Sequence, residues 1–240
     1  MNFIEKIARR QADYSAHAPV TMAFLGDSVT HGAFGITEGS AGEWSCLFDP
    51  EMVYHAQLRR MLAVLFPAAA PTVVNAGCSG NSAPDGLARL ERDVLSAAPD
   101  LVVVCFGLND VACGAGLSAY EAALIGILTT LRERNIATML LTPNMLNTYV
   151  SALTLPALRD FAAQTAELQQ SGVMDQFMDC ARQLSADLHV PLCDCYAQWT
   201  RLHALGVDTT LLLSNYINHP TVALHGLFAQ SLYQRLVFGA

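Results

Sequence analysis

The sequence predicts a three-layer α/β/α fold on a parallel five-stranded sheet, and three observations predict it. Five short apolar runs recur along the chain, at 20–25, 72–75, 101–106, 136–142 and 190–193. Several are continuous rather than alternating, as expected of strands buried on both faces of a sheet. Helical patterns lie between them, and alternation of strand and helix is the signature of a doubly wound fold.

Taken in order, the first run ends in Phe24-Leu25-Gly26-Asp27-Ser28-Val29-Thr30-His31-Gly32, which delivers Ser28 from a strand into a glycine-flanked turn. Residues 33–50 read as the one long irregular segment. Loops of that length inside compact domains tend to be functional, so this one is expected to wall a pocket. Residues 84–97 place Leu87, Leu90, Val94 and Leu95 on one helical face. Ser118-Ala119-Tyr120-Glu121 reads as a capping box opening a helix with Leu124, Ile127, Leu128 and Leu131 inward. Residues 156–170 and 173–189 supply further helix, and 221–238 closes the chain. There is no repeat, low-complexity tract or linker, and 240 residues fit one domain over 1–240.

Composition removes several function classes. A net charge of −8 with only 14% charged residues leaves no basic stripe for nucleic acid or an anionic membrane. Hydrophobic residues make up 52% of the chain, yet no apolar run approaches the roughly 20 residues of a membrane span. The first fourteen residues carry Glu5 and Asp13 and no continuous apolar stretch, unlike a secretory signal, so a cytoplasmic location is expected. The seven cysteines are odd in number and scattered, as small core hydrophobes in a reducing compartment are. Cys193-Asp194-Cys195 is too tightly spaced for a zinc knuckle, and no metal is implied.

Ligands of open parallel sheets bind outside the carboxyl ends of the strands. The unusual polar residues fall there: Ser28 after the first strand, Asn75-Ala76-Gly77-Cys78-Ser79-Gly80-Asn81 after the second, Gly107-Leu108-Asn109-Asp110 after the third. In the flavodoxin-like order 2-1-3-4-5, Ser28 is flanked by Gly80 and Asn109. That arrangement suits acyl transfer, with Ser28 as nucleophile. The Ser28 and Gly80 backbone N–H groups and the Asn109 amide are then donors to the oxyanion. A serine hydroxyl needs a base, and of the seven histidines His219, in the polar loop before the last helix, is the candidate. His31 is a rival base or pocket residue, His55 lines the pocket or packs, and His225 reads as a partly buried or surface helix residue. Asp27 and Asp110 adjoin the site and are expected to hold its turns through backbone N–H bonds. Trp44 and Asn144, with Met145 and Asn147, lie where substrate is expected to pass, and suit a polar, carbohydrate-like carrier.

Four blocks in this order, Gly26-Asp27-Ser28, Ser79-Gly80-Asn81, Gly107-Leu108-Asn109-Asp110 and His219-Pro220, resemble those of the SGNH/GDSL hydrolase superfamily. The resemblance implies a flavodoxin-like sheet and a cofactor-free esterase working through an acyl-serine intermediate. It breaks at Tyr216, where the family usually has an Asp three residues before its histidine. Asn215, Asn218 or a backbone carbonyl is left to orient the imidazole; Asp208 is a more distant carboxylate, and both asparagines also read as turn formers. The expected activity is removal of a small, acetyl-type acyl group from a small-molecule ester on a polar carrier. Two alternatives stay open: a thioesterase or lysophospholipase acting on longer chains, and an acyl-sugar binding module with weakened catalysis. Oligomeric state has no signature in the sequence.

Overall fold

The structure is a computed structural model that describes residues 3–39 and 43–239. From the amino end come α1 (Phe3–Ala12), β1 (Thr21–Gly26), α2 (Ser28–His31), β2 (Ala33–Glu38), β3 (Trp44–Phe48), α3 (Tyr54–Leu65) and β4 (Thr72–Gly77). There follow α4 (Ala83–Asp93), β5 (Leu101–Cys105), α5 (Leu108–Ala112), α6 (Leu117–Glu133) and β6 (Ala137–Thr142). The remainder is α7 (Arg159–Gln170), α8 (Val173–Asp187), β7 (Leu192–Asp194), α9 (Cys195–Ala204) and α10 (Val222–Phe238).

The five apolar runs form one parallel sheet in the order β4-β1-β5-β6-β7, which is 2-1-3-4-5 counted along the sheet strands. The two central strands, β1 and β5, are almost wholly buried, which is why their sequences read as continuous apolar runs. Helices cover both faces: α3 packs on α10 on one side, and α4 on α6 and α6 on α8 on the other. With β1 between β4 and β5, the three polar turns expected at the carboxyl edge meet there.

Several local expectations are corrected. Residues 33–50 are not irregular: β2 and β3 pair as an antiparallel hairpin, its tip at 40–42 lying outside the described residues. Ser118 does not cap α6, because the helix starts at Leu117 with Gly116 as N-cap at φ 92°. A start at Ser118 would pull Leu117 off the core against which it packs. A capping box does occur at Ser82 and Asp85 on α4, where Ser82 N and Oγ both donate to the Asp85 carboxylate. Leu87 is 37% exposed, and Leu90 and Val94 carry the packing expected of that face. Helices α1 and α3 were not expected; each buries a narrow stripe, with Phe3 and Ile7 in one and Tyr54, Leu58 and Leu62 in the other. Among the described residues, no helix is long and apolar enough to cross a membrane.

Candidate active site

Ser28 opens α2 immediately beyond β1. Asp27 caps that short helix by accepting from the Val29 N–H at 2.9 Å. A Cβ at Gly26 would lie 2.1 Å from Thr30 Oγ1, so the close return of α2 onto β1 requires glycine there. The turn leaves the Ser28 hydroxyl 3.0 Å from Nε2 of His219, with both residues only 5% exposed.

His219 is brought there by a loop folded around one side chain. Asn215 Oδ1 accepts the backbone N–H groups of Ile217, Asn218 and His219 at 3.0, 2.9 and 3.0 Å. Tyr216 takes the left-handed conformation at φ 59° inside this turn. Asn144 braces it from beneath, donating to the carbonyls of Asn218 and Met145 at 2.9 and 2.8 Å. On the far side of the ring, His219 Nδ1 lies 3.0 Å from the Phe34 carbonyl oxygen. A carbonyl only accepts, so Nδ1 carries the hydrogen and Nε2 presents its lone pair to the serine hydroxyl. Phe34 stands at a bulge: Ala33 to Ile36 is three steps along β2, whereas their partners Phe48 to Cys46 are two along β3. The extra residue takes the local backbone out of the ladder, which frees a carbonyl to turn inward.

Across the serine, Gly80 sits at φ 80° in the turn after β4. Asn109 on α5 donates one amide hydrogen to Asn81 O at 2.9 Å and retains a second. Asp110 Oδ1 accepts from Ala83 N at 2.8 Å and so joins α5 to the start of α4. A buried arginine that sequence reasoning missed, Arg89, holds this edge together. It donates to Ala76 O, Gly26 O and Asn81 Oδ1 at 2.6, 2.8 and 2.7 Å. A cavity of about 440 Å³ opens here, lined by Ser28, Gly80, Asn109 and His219 together with Ile36, Trp44, Leu158, Phe161 and Ile217. Over residues 24–227 the chain matches the GDSL-like Lipase/Acylhydrolase family. The chain belongs to that family.

This acylhydrolase is a serine-dependent carboxylic ester hydrolase. It is 25% identical over 227 residues to an acetylxylan esterase of Geobacillus stearothermophilus, covering 90% of this chain and 94% of that one. The crystal structure of that esterase, Axe2, superposes with a TM-score of 0.66 at 25% identity, over 91% and 94% of the two chains. Solved forms of Axe2 include catalytic mutants in which a serine or a histidine is replaced by alanine. A two-domain esterase active on acetylated mannans shares the fold, with a TM-score of 0.63 at 22% identity over 98% of this chain and 52% of that one.

The remaining candidates of this acylhydrolase separate cleanly. Trp44 lines the cavity, and Asn215 and Asn218 reach it. His31 does not: it is exposed, its Nδ1 3.1 Å from Ser79 Oγ and its ring against Phe48. His55 is buried behind the site with Nε2 3.0 Å from Thr30 O, and borders a different cleft, between α3 and β4. Asn144 is fully buried and works as a brace rather than a pocket wall. Asn147 likewise donates to Tyr149 O and Ala162 O. His225 is fully buried, accepting from Tyr54 N at 3.2 Å. Asp208 is engaged by the Tyr149 hydroxyl at 2.8 Å and by Thr210 N. Phe34 was missed by residue type because its contribution is a main-chain atom.

Burial sets the electrostatics. It lowers His219 to about 4 against the opposing bond to Phe34 O, so the imidazole is neutral at pH 7. Burial raises Asp27 to about 7, with neighbouring Asp110 adding to the rise, and raises Asp110 itself to about 6.

Proposed function

We propose that this acylhydrolase removes acetyl groups from acetylated carbohydrate through an acyl-serine intermediate at Ser28. The carrying observation is the 3.0 Å contact of His219 Nε2 with Ser28 Oγ, two residues that line the same cavity. Ser28 Oγ attacks the ester carbonyl carbon while His219 Nε2 takes its proton. The carbonyl oxygen, now an oxyanion, is held by the Ser28 and Gly80 N–H groups and the free Asn109 amide hydrogen. His219 then protonates the leaving sugar oxygen, and water, activated by the same imidazole, releases acetate and restores Ser28. The Phe34 carbonyl fills the place of the usual carboxylate, giving a Ser28–His219 dyad held by main chain.

The carbohydrate part of the reading rests on the acetylxylan esterase relative and on Trp44, an aromatic face on the cavity wall. A cytoplasmic location belongs to the same reading, supported by cysteine usage. The apolar stretch Ile36-Leu158-Phe161-Ile217 favours a second reading, longer acyl chains on a thioester or lysophospholipid. Acetate release from acetylated xylooligosaccharides, compared with hydrolysis of acetyl and octanoyl p-nitrophenyl esters, decides between them. The proposal expects acetate release and preference for the acetyl ester, both abolished in Ser28→Ala. Preference for octanoyl supports the second reading, and full activity in Ser28→Ala overturns both.

A further inference from the structure

Asn218 is one residue from the base, and its side chain is spoken for on one side only. Asn215 Oδ1 is committed to three backbone N–H groups, which fixes the orientation of that amide and leaves Asn215 Nδ2 as a donor. That donor meets Asn218 Oδ1 at 2.8 Å. Asn218 Oδ1 is therefore the accepting atom, and the amide cannot be flipped without setting two N–H groups against each other. The other end of the amide, Nδ2, has no hydrogen-bond partner among the described residues, although Asn218 is only 9% exposed and borders the cavity. Asn218 thus carries an ordered amide with a free donor end at the cavity that Ser28 and His219 also line.

We propose that Asn218 is a specificity-determining residue whose Nδ2 donates to an oxygen acceptor on the carrier of the scissile ester. The acceptor class is an ether, glycosidic or neighbouring acyl carbonyl oxygen, which a sugar ester presents and a simple aryl or alkyl ester lacks. The inference deepens the acetylated-carbohydrate reading and rests on it. Donation from a preset amide orders the carrier without an entropic cost of arranging the donor, so the gain falls on substrates that carry the acceptor. Asn215 is the positioning residue behind it.

The test compares kcat/KM for methyl tri-O-acetyl-β-xylopyranoside, whose oxygens are all acceptors, with kcat/KM for p-nitrophenyl acetate. Asn218→Asp keeps an oxygen to accept from Asn215 Nδ2 but replaces the donor with an acceptor. The ratio of the two kcat/KM values is expected to fall about ten-fold or more, mainly through KM of the xyloside. Any effect of the new charge on His219 acts on both substrates and cancels in the ratio. Asn218→Ala, which removes the amide altogether, is expected to lower the ratio in the same direction and serves if the aspartate variant does not fold. An unchanged ratio in either folded variant overturns the role of Asn218 and leaves the acetyl-carbohydrate reading standing. A wild-type enzyme that hydrolyses p-nitrophenyl acetate but not the xyloside overturns that reading, and the role of Asn218 with it.

Discussion

His219 Nδ1 lies 3.0 Å from the carbonyl oxygen of Phe34, a residue 185 positions earlier in the chain. The bond does half of what a triad carboxylate does. It fixes the tautomer and the ring plane, so Nε2 faces Ser28 as an acceptor. It carries no full negative charge, so it stabilises imidazolium less, and the burial of the ring prevails and lowers its pKa. The supply of that carbonyl depends on the bulge in β2, which links the geometry of the base to the hairpin that also walls the cavity through Ile36 and Trp44.

Deleting Gly35 makes this dependence measurable. It removes the extra residue between Ala33 and Ile36, so that two steps on β2 face two on β3 and the ladder becomes regular. The Phe34 carbonyl is then drawn into strand pairing and His219 loses its orienting partner. We expect kcat for p-nitrophenyl acetate to fall by about 10²-fold or more. The hairpin lies outside the main sheet, and the melting temperature should change little. Wild-type turnover in the deletion variant would show that the carbonyl is dispensable.

The pH profile is the second expectation. A protonated imidazole cannot accept the Ser28 proton, and His219 is depressed to about 4 by burial. Activity is therefore lost on the acid side near pH 4 and is level from about pH 5.5 to 8, not half-maximal at the ordinary histidine value of about 6.5. Initial rates across pH 3.5–8, each with recovery checked at pH 7, read this directly. An inflection near 6.5 that persists when Asp27 and Asp110 are each replaced by asparagine would mean that the base is more solvated than its surroundings indicate.

Much of this was legible in the sequence, and the parts that were not share a cause. Strands buried on both faces must be apolar throughout, so 101–106 announced itself as a central strand. The candidate site residues Ser28, Gly80, Asn109 and His219 sit in or beside turns where such residue types are conspicuous. A strand carbonyl leaves no letter of its own in the sequence, so Phe34 was invisible, and the hairpin that supplies it was hidden because Gly35 and the Gly-Ser-Ala-Gly run at 39–42 break up its apolar residues. Asn144 was expected along the substrate path, and His55 was left either lining the pocket or packing. Each looks functional by type but is engaged by a hydrogen bond to a carbonyl far along the chain, Asn144 to Asn218 O and His55 to Thr30 O.

Tyr216→Asp tests the departure from the family pattern. The substitution restores an acidic residue three positions before His219, but Nδ1 is already bonded to Phe34 O, and the side chain of residue 216 leaves a left-handed backbone at φ 59°. We expect kcat/KM at or below the wild-type value. Aspartate adopts that conformation more readily than tyrosine, so the variant should also be no less stable. A rise in turnover accompanied by an upward shift of the acid limb would mean that the carboxylate has displaced the Phe34 carbonyl.

Asp27→Asn addresses a buried acid beside the site. Asp27 Oδ1 accepts from Val29 N while Oδ2 is buried with no partner among the described residues, and burial lifts the acid to about 7. In the unfolded chain the same acid ionises near the ordinary value of about 3.9. Between those two values the folded protein holds a proton that the unfolded chain releases, so stability falls as pH rises through that window and levels off above it. Asparagine keeps the acceptor for Val29 N and does not titrate. The stability of Asp27→Asn relative to wild type should therefore grow from pH 4 to 7 and stay constant above about 7.5. Buried His55, His219 and His225 lose stability as pH falls from about 6.5 toward their depressed values, but they do so in both proteins and cancel in the difference. Urea unfolding at each pH measures it, and a difference that does not vary with pH would mean that Asp27 is ionised in the folded protein throughout.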